Sequence, residues 1–207
     1  MTITIALVAA TVLASITALN QRTIFDKLML SPYRMVYHKE WYRIITHGFI
    51  HADYIHLAVN MVVLYSFGSA VEMWLDALHM AGTTSLPMLH YAVLYFGGMV
   101  IATISTIAKY KDTYDYSAVG ASGAVSAVLF SFIFFQPWSR LYLMGIIPIP
   151  GIIFGPLYLW YSSYMGRRAA DNVNHDAHFY GAIFGFLYPI AIDPQLLMNF
   201  IHQLLMR

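Results

Sequence analysis

The sequence predicts an all-α, polytopic membrane protein folded as one bundle of six helices. Two observations carry this. Hydrophobic residues make up 59% of the 207-residue chain and charged residues only 10%, where a soluble domain carries about 25% charged residues. The charges are also segregated: residues 55–71, 87–108 and 118–135 contain no Asp, Glu, Lys or Arg, and apolar runs of about 17 to 25 residues can cross a bilayer as helices.

Taken in order, the first helix is expected at residues 2–20. Its apolar run lacks the basic leading region of a signal peptide, so it reads as a retained helix. The connection from 20 to 50 is the longest. It holds five of the 11 basic residues together with Phe25, Tyr33, Tyr37, Trp41 and Tyr42, aromatics suited to the membrane–water interface, and an ordered, partly embedded loop is expected. Helices two, three and four follow near 55–72, 87–108 and 117–136. In "PIPGIIFGP", Pro148 and Pro150 suit a helix start and Pro156 a kink, which gives a loop over 137–149 and helix five over 150–166. Helix six is expected over 177–193. The segment 194–207 carries Leu196, Leu197, Phe200, Ile201, Leu204 and Leu205 at helical spacing, an amphipathic stripe for the membrane surface or the bundle. There is no repeat and no sign of a second domain. Cysteine is absent, which excludes disulfides, thiolate catalysis and Cys metal sites. A net charge of +1 says nothing of nucleic acid, and no such partner is expected.

Polar groups are costly in hydrocarbon, so those inside helices are functional candidates. Helix two carries His56 and Asn60, four apart and on one face. Helix four carries Ser122 and Ser126, and helix six opens with His178. Helices two, four and six run in the same direction, so the three sites enter from one face of the bilayer, each within roughly 10 Å of it. Gly123 with Ala127, and Gly181 with Gly185, are small residues four apart that permit close backbone approach. If those faces meet, Ser122 comes near His178.

A serine hydroxyl needs a base to become a nucleophile, and a neutral imidazole can take its proton and return it to the leaving amine. No carboxylate lies in the membrane to orient His178, and Asp176, two positions away, projects elsewhere, so a Ser–His dyad is expected. The Ser122 backbone N–H, the His56 ring and the Asn60 amide are candidate oxyanion donors, one such donor being worth about 3 kcal/mol. Two rival readings exist. "GASGA" taken alone is a packing surface, and it is not a G-x-S-x-G elbow because position 124 is Ala and no strand precedes it. His47 with His51, and His175 with His178, resemble the histidine boxes of membrane metal oxygenases, but such sites also recruit carboxylates and this reading leaves Ser122 unexplained. No metal is expected.

These residues resemble the rhomboid family of intramembrane serine proteases over about residues 41–189. His51, His56, Asn60, Gly68 and Glu72 match the pattern running from the first loop into helix two; "GASG" matches the nucleophile motif at Ser122; "AHFYGAIFG" matches the sixth-helix motif, with His178 as base and Gly181 and Gly185 as packing glycines. The resemblance implies a six-helix fold, cofactor-free cleavage of transmembrane protein substrates, an oxyanion hole of His56, Asn60 and the Ser122 amide, and a water-filled cavity. Helix five and residues 166–174 would form its gate and cap. A catalytically dead relative that binds and routes membrane proteins is the alternative, although such members lack the serine or the histidine. Many members carry an aromatic four residues after the serine, packed on the catalytic histidine. Here that position is Ser126, so Tyr180 or an aromatic of helix two is expected to steady His178. Tyr42–Arg43 fills the slot of a common Trp-Arg. The family's usual topology, in the plasma (inner) membrane with the active site toward the extracytoplasmic face, would place nine basic residues outside and two inside, against the positive-inside rule.

Overall fold

The N-terminal helix α1 (Thr2–Asn20) is built inside out. Thr4, Thr11 and Ser15 are fully buried while Leu13 and Ile16 face outward, the arrangement expected where lipid is the solvent and hydroxyls find partners only in the protein. Thr4 Oγ1 donates to Tyr91 Oη at 2.7 Å. The orphan N–H groups at the start of α1 are met from another helix, because Glu72 Oε1 accepts from the amides of Ile3 and Thr4 at 2.8 and 3.3 Å, and a carboxylate there also suits the helix dipole. These contacts come from a computed structural model that describes residues 2–143, 145–168, 171 and 173–206.

The long connection after α1 folds into three short helices, α2 (Arg22–Leu28), α3 (Pro32–His38) and α4 (Arg43–Thr46), and a single 3₁₀ turn, His47–Phe49. Arg43 knots it together. Its fully buried guanidinium donates to the carbonyls of Asp26 and Met29 at 3.0 and 2.5 Å and to Glu40 Oε2 at 2.6 Å.

Five longer helices follow: α5 (Tyr54–Met80), α6 (Pro87–Tyr110), α7 (Ser122–Phe135), α8 (Gly151–Arg168) and α9 (His175–Ile192). The last is followed by α10 (Gln195–Leu205), bent 114° from it. Three departures from the sequence reading have clear causes. Helix α5 continues to Met80 rather than ending near 72, because Glu72 is buried as the partner of the first α1 amides and the face beyond it, with Leu75, stays in the core. Helix α7 begins at Ser122 rather than 117, for reasons given below. The chain is not wholly α-helical: the expected loop over 137–149, together with Pro150, the expected helix start, contains an antiparallel hairpin of β1 (Arg140–Leu143) and β2 (Ile147–Pro150).

Among the described residues, α1, α5 and α6 are long and apolar enough to cross a membrane unaided, with a fourth span if α9 and α10 count as one. The remaining helices do not meet that test. Helix α7 has 14 residues, or about 21 Å at 1.5 Å per residue, against about 30 Å of hydrocarbon. Every residue of α7 after Ser122 is buried, so it runs through the centre of the bundle. Helix α10 lays Leu196 and Phe200 on Phe134 and Phe135 and leaves Met198 and Leu205 outward.

The tightest contact is between α7 and α9. A Cβ added at Gly181 would land on the Gly123 carbonyl oxygen, and one at Gly185 on the Ala127 carbonyl oxygen. Both obstacles are backbone, which cannot swing aside. Gly185→Ala is therefore expected to destabilise the protein by about 1–3 kcal/mol, read as a lowered unfolding midpoint in detergent. Gly155→Ala, whose methyl would meet Phe130 at an ordinary 3.5 Å, is expected to be tolerated.

Candidate active site

The site begins with the segment before Ser122. Ala118 and Leu30 exchange backbone hydrogen bonds at 3.1 and 2.9 Å, the Gly120 amide donates to the His47 carbonyl at 2.9 Å, and the Ala121 amide donates to His51 Nε2 at 3.4 Å. Residues 118–121 are thus tied in a non-helical course to the long connection, and this is why the helix cannot start at 117. Gly120 has φ +116°, and a Cβ there would sit 2.7 Å from His56 Cε1. Both its backbone angle and the imidazole lying over it require glycine.

His51 is the pivot of this scaffold. Its Nε2 accepts from Ala121, so the network assigns the proton to Nδ1, which meets Ser15 Oγ at 3.0 Å; the Ser15 hydroxyl in turn donates to the Phe49 carbonyl at 3.0 Å. That tautomer is fixed by the hydrogen bonds of its neighbours. His47 likewise turns Nδ1 to the Arg43 carbonyl at 2.8 Å. Burial pushes His47 down to about 4 and His51, with a smaller contribution from nearby His56, down to about 3. Both are neutral scaffold residues near pH 7. Among the described residues no three His, Asp or Glu side chains converge as metal ligands.

The bundle brings the sequence-predicted residues to one end. Ser122 is the first residue of α7, His56 lies in the first turn of α5 and His178 in the first turn of α9. Each is partly exposed. Gly123 packs on Gly181 and lies beside the Ala177 carbonyl, so the residues flanking Ser122 and His178 are in contact. Among the described residues no hydrogen bond joins Ser122 Oγ to His178; such bonds often form only when substrate is bound. Helix α7 has no side-chain cap, which leaves the Ser122 and Gly123 N–H groups as open donors at a helix N-terminus. Asn60 is buried and spends one amide hydrogen on the His56 carbonyl at 3.0 Å, keeping its second for another acceptor. A cavity of about 20 Å³ beside Ser122, lined also by His47, Thr103, Thr106 and Asn174, has room for about one water.

Asp176 faces away from His178, taking Lys109 Nζ at 2.6 Å. The ring over His178 is neither Tyr180, which is 46% exposed, nor an aromatic of α5. It is Tyr158 of α8, with centroids 6.3 Å apart and planes 20° apart. Tyr180 cannot serve because a residue two positions along a helix points to another side. The second neighbour is His175, edge-on at 5.8 Å and paired with Asp171 at 3.1 Å. The helix carrying both histidines is N-capped by Asn174, whose Oδ1 accepts from the Ala177 amide at 3.1 Å and whose Nδ2 donates to Thr106 at 2.8 Å. The sequence reading missed Tyr158 and Asn174. Asn174, an Asn just ahead of the helix, was a legible capping signal.

Residues 38–194 match the family described as Rhomboid domain. The chain belongs to the rhomboid family. It is similar to "RHOMBOID-like protein 12, mitochondrial" of Arabidopsis thaliana, 29% identical over 67% of this chain and 43% of that one. It is similar also to "Putative rhomboid protease YdcA" of Bacillus subtilis (strain 168), 30% identical over 72% of this chain and 65% of that one. A third relative, "Rhomboid protease GluP" of the same bacterium, is 26% identical over 74% of this chain and 26% of that one. The chain thus spans about two fifths to two thirds of the first two relatives' own length. As a rhomboid with long apolar helices, it is an integral membrane protein.

Because the unfolded chain has ordinary histidines near 6.5 and the fold holds His51 near 3 and His47 near 4, the unfolded state binds more protons between those values. Stability is therefore flat above about pH 6.5 and is lost as the pH falls toward 4 and below. His51→Gln should lower the midpoint near pH 7 and flatten its decline across about pH 4 to 6.5, as read by thermal unfolding in detergent.

Proposed function

We propose that this rhomboid is an intramembrane serine endopeptidase that cleaves transmembrane protein substrates with a Ser122–His178 dyad. The observation that carries the reading is the contact of the α7 and α9 starts, with partly exposed Ser122 and His178 flanking it and the His56 ring over Gly120. The protease names of the bacterial relatives support it.

In this mechanism Ser122 Oγ attacks the scissile carbonyl carbon while a His178 ring nitrogen takes the hydroxyl proton. The carbonyl oxygen becomes an oxyanion and is received by the Ser122 N–H, the free amide hydrogen of Asn60 and the His56 ring. Collapse of the intermediate breaks the C–N bond, and His178 returns its proton to the departing amine. Water then attacks the acyl-enzyme ester with His178 again as base, regenerating Ser122. The cavity beside Ser122 has the size and polar lining for that water. The reading calls for no cofactor and no metal. It takes all six longer helices as membrane-crossing, with short α7 recessing Ser122 below the bilayer surface. It sets the protein in the plasma (inner) membrane, with the site toward the extracytoplasmic face.

Ser122→Ala and His178→Ala should each reduce cleavage of a transmembrane substrate by ~10⁴-fold or more while the protein still unfolds cooperatively. Undiminished cleavage by Ser122→Ala would sink the reading. A serine-directed phosphonate or isocoumarin probe should label the parent and not Ser122→Ala, which separates a protease from a routing relative. Asn60→Ala should lower kcat by about 10²-fold, measured on the same substrate.

A further inference from the structure

Ser126 lies one turn after the proposed nucleophile, in the buried heart of α7. The side chain there is a small hydroxyl, and helix α8 is the element that meets it. Tyr158 reaches in, shares a hydrogen bond with Ser126 through the two hydroxyl oxygens at 2.7 Å, and lays its ring nearly parallel to His178. On its other edges the phenol meets Phe130 at 5.4 Å and Phe154 at 5.6 Å. The ring therefore has little freedom: the hydroxyl fixes one end and two aromatic side chains fix its flanks. His178, by contrast, has no hydrogen-bonded carboxylate to orient it among the described residues. Its ring is flanked by two aromatic rings, Tyr158 and His175.

We propose that Tyr158 is the positioning residue for His178, and that Ser126 is its anchor, the pair doing from α8 what a single aromatic at position 126 would do from α7. This rests on the reading of His178 as the base. A flat ring stacked on the imidazole restricts its rotation, and a base displaced by about 1 Å can cost on the order of 10²-fold in rate. The role belongs to the ring, with the hydroxyl setting its position. The two sites are also spatially exchangeable: removing the phenol opens space against Ser126, where a new aromatic could be seated.

The test compares Tyr158→Phe, Tyr158→Leu and the double variant Ser126→Tyr/Tyr158→Leu with the parent, by cleavage of a transmembrane peptide and by the ring-proton NMR signals of His178. Tyr158→Leu keeps apolar bulk without a flat ring. It should lower kcat between about 10- and 100-fold with KM little changed. Tyr158→Phe should stay within about fivefold, the worth of one neutral hydrogen bond, and the double variant should recover most of the lost rate. The His178 signals should carry a ring-current shift in the parent and in Tyr158→Phe that vanishes in Tyr158→Leu. Parent-like kcat in Tyr158→Leu overturns the proposal, as do equal losses in the Phe and Leu variants or an unchanged His178 spectrum. The NMR comparison is also made in Ser122→Ala, so it decides the stacking without turnover. A parent that neither cleaves nor takes up the phosphonate defeats the protease reading instead.

Discussion

The close approach of α7 and α9 is the constraint on which the rest depends. At Gly181 and Gly185 the two backbones leave no room for a methyl group. In hydrocarbon there is no water to drive helices together, so association rests on dispersion and on the area that small residues let backbones share. This contact explains why α7 is central and wholly buried after its first residue. It also explains why the two candidate residues come together at its end: Ser122 directly precedes Gly123, and His178 directly follows Ala177, whose carbonyl lies beside Gly123.

A second constraint fixes where α7 begins. The strip 118–121 spends its amides on Leu30, His47 and His51, so these groups cannot enter a helix. The connection between α1 and α5 is therefore a scaffold for the site, and Arg43 and the two neutral histidines hold it in one shape. The same histidines that read as a metal box are hydrogen-bonding struts. The His51 ring, which accepts at Nε2 and donates at Nδ1, must stay uncharged, and burial keeps both rings neutral.

The polar residues of the bundle divide by function. Thr4 is spent on Tyr91, Ser15 on His51 and the Phe49 carbonyl, and Glu72 on the first amides of α1. Ser122, His56 and His178 keep part of their surface open. Polar residues inside membrane helices are functional candidates by default, but only their partners tell the spent from the available.

The sequence by itself determined the apolar helices and the polar positions on them. The periodicity of small and polar residues marked Gly123, Ala127, Gly181 and Gly185, because hydropathy and four-residue spacing are local properties of a helix. It also carried the family resemblance, since the motifs are contiguous in the chain. Only the tertiary structure decided that α7 starts at Ser122, that Glu72 completes α1 rather than ending α5, and that Tyr158 lies over His178. Each of these is a contact between residues far apart in sequence: Ala121 with His51, Ile3 with Glu72, Ser126 with Tyr158. No local pattern encodes such a meeting. It follows from which helix faces which, and that is set by the packing of the whole bundle.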